Sequence, residues 1–230
     1  MRQTILAVPL LLLAAVTGCS STHPGTSADA ASASSGSTAT GHATGTGPPA
    51  LGPGPQGTYH VQVQPPAGSC HFRADGGQPL PDSSCTPGLL SPAVTQATIA
   101  TTICRKGGYT RGIRPPASVT DVEKRKNAAS YGYSGAMSDA EYDHLVPLSL
   151  GGDPDDPRNL WLEPPSPGHK SGDGVNNPKD AVETTLHTAV CDGKVRLADA
   201  QQAIASDWVT AESRLGLAAG AVAAGSADTN

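Results

Sequence analysis

Asp143-His144-Leu145-Val146-Pro147-Leu148-Ser149-Leu150-Gly151-Gly152, answered by Asn159-Leu160-Trp161, is the stretch on which the fold turns. Residues 142–148 and 159–162 are short apolar runs bounded by turn-forming residues, which predicts two short strands. Between them lies Gly151-Gly152-Asp153-Pro154-Asp155-Asp156-Pro157, so dense in glycine, proline and aspartate that it reads as their connecting loop. The same prolines and glycines make Asp153, Asp155 and Asp156 turn residues rather than a calcium loop. On a regular strand Asp143 and His144 would point to opposite faces. Both can serve one site only if the strand ends or bulges there.

Working outward, three helices are expected. Asn177-Pro178-Lys179-Asp180 sets a capping residue before a proline at the first helical position. The helix that follows aligns Val182, Leu186, Ala189 and Val190, and Gly193 is its stop. Residues 197–211 align Leu197, Ala200, Ile204 and Trp208 on one face. Upstream, Thr120-Asp121-Val122-Glu123 has the form of a capping box and predicts a helix over 121–130. Arg114-Pro115-Pro116 excludes helix just before it. The order is helix, strand, loop, strand, loop, helix, helix: an α+β domain that is mainly helical.

The flanks differ in kind from this core. Arg2 and the apolar run 5–16 form a stretch too short to span a bilayer, which needs about 20 apolar residues. It ends at Val16-Thr17-Gly18-Cys19, which resembles a bacterial lipobox. The expectation is a signal peptide over 1–18, with Cys19 lipidated and the protein held on the extracytoplasmic face of a membrane. Residues 19–57 are almost wholly Ser, Thr, Ala, Gly and Pro, and are expected to be a disordered tether. The foldable domain is then 58–216, and the Ala/Gly-rich 217–230 is a frayed tail. Removing Cys19 from the five cysteines leaves Cys70, Cys85, Cys104 and Cys191, an even set suited to disulfides in an exported chain. Three pairings are open, and the favoured one joins Cys70 to Cys85 and Cys104 to Cys191. Aromatic residues are only 3% of the chain, so such staples would support a thin core.

The Asp143-His144-x-x-Pro147-Leu148 block, its glycine turn and Asn159-Leu160 together resemble the HNH endonuclease motif. The wider stretch resembles a group of exported bacterial HNH-like proteins. It takes in Thr102-Ile103-Cys104, Arg114-Pro115-Pro116, Asn159 to Pro164, Lys179-Asp180, Glu183, Leu186 and Cys191. The resemblance implies a ββα-metal motif embedded in the disulfide-stabilised domain. It further implies metal-dependent, nonspecific hydrolysis of nucleic acid, DNA ahead of RNA. His144 would be the general base, since imidazole accepts a proton near neutral pH. Asn159 would hold the base-bearing loop, and Asp143 would be an oxygen ligand for a divalent ion. Mg²⁺ suits such a site best, with Mn²⁺ or Zn²⁺ as alternatives. The family's further ligand falls among Asp180, Asn176 and His169, and Lys179 would contact phosphate or pair with Glu183 at i+4.

Charge weighs on the substrate without deciding it. A net charge of −5 argues against a generally adhesive nucleic-acid binder. Yet Arg105, Lys106, Arg111, Arg114, Lys124, Arg125 and Lys126 face only Asp121 and Glu123 in the segment before the motif. Arg105, Lys106, Arg111 and Arg114 are the expected phosphate contacts. The competing expectation is a non-catalytic envelope or interaction module on an HNH-like scaffold. No protein partner is expected from either.

Overall fold

Two prolines, a dense loop and paired short strands position everything that matters. The computed structural model describes residues 48–217. Cys19, the expected signal peptide, most of the expected tether and nearly all of the expected tail lie outside the described residues. β1 (Arg73–Asp75) and β2 (Gln78–Leu80) form an antiparallel hairpin across Gly76 and Gly77, both at positive φ. That Gly-Gly dipeptide is the hairpin signal. α1 runs over Ala117–Ser130, β3 over Glu141–His144 and β4 over Leu160–Glu163. α2 (Lys179–Cys191), α3 (Leu197–Ser206) and the short α4 (Ala211–Arg214) complete the order. The architecture is α+β.

β3 and β4 pair antiparallel, with Asp143 opposite Trp161 and His144 opposite Leu160. β3 stops at His144, shorter than expected, because Pro147 has no N–H to extend the ladder. Leu148–Leu150 instead make one tight 3-10 turn, closed by Gly151 at φ 77°. One side of the hairpin rests on α1, where Asn127 Oδ1 accepts the Leu162 N–H at 2.8 Å. Trp161 is buried with Tyr131 and Leu145, and Phe72 stacks on Tyr131 at 4.5 Å. The larger apolar core joins Val182, Leu186 and Val190 of α2 to Ala200 and Ile204 of α3, with Trp208, Val146 and Leu150.

The structure corrects three further boundaries. α1 begins at Ala117, so Thr120 lies inside it and no capping box forms. Pro116, fixed in extended geometry, already launches the helix. Glu123 turns inward, and its Oε1 accepts the Gln62 N–H at 2.6 Å. α3 stops at Ser206 rather than 211, since Asp207 is extended, and Trp208 donates its Nε1–H to Pro79 O at 2.9 Å. The ordered domain also begins earlier than residue 58. Leu51 bridges Leu90, the Gly52 N–H donates to Leu90 O, and the Gly54 N–H donates to Asp153 Oδ2 at 2.6 Å. A Cβ on Gly52 would lie 2.4 Å from that carboxylate, so this part of the tether docks only because it is glycine.

Cys70 bonds Cys85 and Cys104 bonds Cys191, the favoured pairing. The second closes a separation of 87 residues, tying the segment before α1 to the end of α2. A loop of that length stabilises by about 4–5 kcal/mol in the chain-entropy account. Such bonds fit an oxidising compartment. Among the described residues no helix is long and apolar enough to cross a membrane.

Candidate functional site

His144 closes β3 in a buried position. Its Nε2 lies 3.0 Å from Pro154 O. A carbonyl can only accept, so Nε2 carries the proton and Nδ1 is left as a lone-pair acceptor. Nδ1 makes no hydrogen bond among the described residues. Burial pushes the imidazole down to about 4 from 6.5, against the opposing pull of Asp143, with Arg114 and Lys179 adding to the depression. The ring is therefore uncharged at neutral pH.

The loop bearing Pro154 is fixed from within. Asp153 Oδ1 accepts the N–H groups of Asp155 and Asp156 at 3.1 and 2.9 Å, the turn role read from the sequence. Asn159, fully buried, spends its whole amide on this loop. Its Oδ1 accepts the Val146 N–H, and its Nδ2 donates to Val146 O and Asp153 O, all at 2.9–3.0 Å. Gly152 permits the closure: a Cβ there would fall 1.8 Å from Val146 O.

Asp143 faces the other way, toward the first turn of α2. Lys179, with no exposed surface, donates from Nζ to Asp143 Oδ2 at 2.6 Å, to His144 O at 2.8 Å and to Glu183 Oε1. An ammonium has three N–H bonds, and all three are used. Of its two expected roles Lys179 takes the pairing with Glu183, and its buried ammonium has no N–H left for phosphate. Burial alone would lower the Lys179 pKa, but Asp143 and Glu183 hold it raised.

Carboxyl groups crowd this ammonium. Burial, then Asp143, drives Glu163 well above the ordinary carboxyl range, so that it keeps its proton and hydrogen-bonds the Asp143 carboxylate. Glu183 is raised by burial, with Lys179 opposing. Glu141 and Asp180 are also raised, burial again leading. Glu163 and Glu141 were not singled out in the sequence. The available signal was their register: they sit directly opposite each other, two residues from the Asp143–Trp161 pair.

The expected metal ligands do not assemble. His169 Nε2 lies 3.7 Å from Asp139 Oδ2, and Asp139 also accepts the Gly172 and Gly174 N–H groups, so His169 belongs to the fastening of that loop. Asn176 is exposed; its neighbour Asn177 donates to Glu141 Oε2 and caps the Lys179 N–H. Asp180 is exposed on the first turn of α2 but feels the Asp143 charge. Asp143 itself holds an ammonium. Repulsion between a doubly charged ion and an ammonium about 4 Å away is roughly 8 kcal/mol at an effective dielectric of about 20. These residues, as arranged, do not fit a divalent ion on Asp143.

A different group brings metal-ligand atoms together. Cys104, His187 and Cys191 have donors within 4.8 Å of one another and could hold a metal ion. Both sulfurs are joined in the disulfide, so thiolate ligation there requires reduction. His187 donates from Nε2 to Ile103 O at 3.0 Å.

Among the basic residues, Arg105, Lys106, Arg111 and Arg114 are all exposed. Arg105 donates to Gly108 O and lies 5.7 Å over the Tyr109 ring. Arg114 is near enough for its charge to act on His144 and Asp180. Lys124 is committed inward, donating to Met137 O and Ala140 O, both at 2.7 Å. The chain matches no family model, no curated protein and no solved structure.

Proposed function

We propose that the domain hydrolyses phosphodiester bonds of nucleic acid outside the cytoplasm, with β3, β4 and α2 as an HNH-like ββα unit and His144 as general base. One observation carries this reading: His144 is held by its Nε2–H on Pro154 O, which leaves Nδ1 an unbonded acceptor at the strand's end. In the reaction, water attacks phosphorus and gives its proton to Nδ1, the bond from phosphorus to one ester oxygen breaks, and that oxygen leaves as an alcohol by taking a proton from solvent, while Arg114 offsets charge on the phosphate oxygens. Asn159 keeps Pro154 O in place, so it acts as a positioning residue. Lipidation of Cys19 would hold the enzyme at the membrane surface.

The second reading is a non-catalytic envelope module on the same scaffold. The sealed Lys179 favours it, since that cation cannot touch substrate. Nicking of supercoiled plasmid, and cleavage of RNA, by the disulfide-bonded protein decides between them. Cleavage that falls at least about 100-fold in His144→Ala supports the hydrolase. A folded protein that cuts neither polymer leaves the envelope module.

A further inference from the structure

We propose that the Lys179 ammonium is the resident cation of this site, standing between β3 and α2 where an HNH-like unit would hold a divalent ion, so that the protein binds no metal at Asp143. The inference deepens the hydrolase reading but rests on its own observations. Three acceptors converge on one point from two elements: Asp143 Oδ2 and His144 O from β3, and Glu183 Oε1 from α2. That convergence of two carboxylates and a carbonyl is the kind of oxygen shell a hard cation takes. Here a covalently tethered cation fills it.

Its placement is enforced rather than incidental. Lys179 is the first residue of α2, and its backbone N–H is fixed by Asn177 Oδ1 at 3.0 Å. Asn177 is in turn fixed by Glu141 of β3 at 3.0 Å. The side chain is fully buried, so it does not run along the surface with its head in water. Buried lysines are kept only with partners, and this one has a complete set. Glu163, nine-tenths buried and more, adds a further carboxyl group, hydrogen-bonded to Asp143. Removing the ammonium would therefore leave an empty, oxygen-lined cavity suited to an ion.

The test is a Mn²⁺ titration of the full protein followed by electron paramagnetic resonance, with Lys179→Met, the double variant Lys179→Met/Asp143→Asn and plasmid nicking in EDTA alongside. The wild type should leave Mn²⁺ free through the millimolar range. Lys179→Met should bind one Mn²⁺ at least tenfold more tightly, and the added Asp143→Asn should abolish that binding. Any nicking by the wild type should survive EDTA. A wild type that binds one Mn²⁺ and loses it on Asp143→Asn overturns the proposal, as does Lys179→Met that folds and gains no binding. If Lys179→Met does not fold, the wild-type titration with Asp143→Asn decides alone. Absence of nicking under every condition would sink the hydrolase reading and leave the metal result standing.

Discussion

Two buried acidic clusters lie within this small domain, and they are neutralised by opposite means. Around Asp143, Glu163 and Glu183 the compensation is a whole charge, the ammonium of Lys179. Around Glu123 and Asp155 no buried cation is present among the described residues. Gln62 bridges them, giving its N–H to Glu123 and its Nε2–H to Asp155 Oδ2 at 3.2 Å. Burial lifts Glu123 to about 7 and Asp155 to about 6, so these acids approach neutrality by keeping their protons. The contrast separates a cluster with a fixed charge pattern, suited to a site, from one that merely fastens the segment 58–66 to α1. Carboxylate count alone does not distinguish them; the partner does.

The largest effect expected from breaking this contrast follows loss of the ammonium. Lys179→Met leaves buried carboxylates without their counter-charge, a change that costs about 3–5 kcal/mol when one partner of a buried pair is removed. Urea unfolding at pH 8 should show that loss, and acidification should relieve it as the carboxyls take protons. Glu123→Gln keeps an acceptor for the Gln62 N–H and should cost little at the same pH. Equal losses in the two variants would mean that both clusters depend on charge in the same way.

A middle-sized effect lies in the pH dependence, with opposite signs at two positions. The folded state holds Glu123 at about 7 against an ordinary 4.5. Its contribution is full below the unfolded value and is lost as pH rises through the folded one. His144 is depressed from 6.5 to about 4. The unfolded chain protonates this histidine first, so its contribution is lost as pH falls through that window. Relative to wild type, Glu123→Gln should therefore gain stability as pH rises from about 4.5 to 7, by at most about 3 kcal/mol and less to the extent that solvent screens the carboxylate. His144→Gln should gain as pH falls over the same range. Unfolding free energies from denaturant series at each pH check this, and parallel trends would contradict it.

The sequence made the frame of the site legible but not its charge. The strand pair, the Gly151-to-Pro157 loop and the helices after it follow from local turn chemistry and periodicity, which read correctly at close range. The cysteine pairing was favoured for the loops it would close, and forms so. From sequence, Lys179 has two open roles, a phosphate contact or an i, i+4 pairing with Glu183. Only the approach of α2's first turn to β3 buries them, and no local pattern encodes that approach. Thr120 to Glu123 satisfied the pattern of a capping box, but Pro116 starts the helix first and a tertiary partner, the Gln62 N–H, takes the glutamate. Beyond the Leu51–Leu90 bridge, the backbone from Gly54 to Pro65 is held by side chains of Asp153, Glu123 and Ser130, distant contacts that no local pattern encodes.

The smallest structural effect, and the sharpest probe of which face meets substrate, belongs to Arg114. It is exposed and enters no ion pair among the described residues, whereas its field reaches both His144 and Asp180. Arg114→Ala should leave stability within about 0.5 kcal/mol of wild type, as for most surface changes. If the His144 side of the motif receives the phosphate backbone, the same variant should lower plasmid affinity severalfold. The dependence of log affinity on log salt should also become shallower by about one. Arg105→Ala is the matched control, since that side chain already donates to Gly108 O and lies over Tyr109, away from the imidazole. A salt slope that changes for Arg105 and not for Arg114 would move the binding face off His144. The lysine-filled cluster would then be a structural joint rather than the floor of a site.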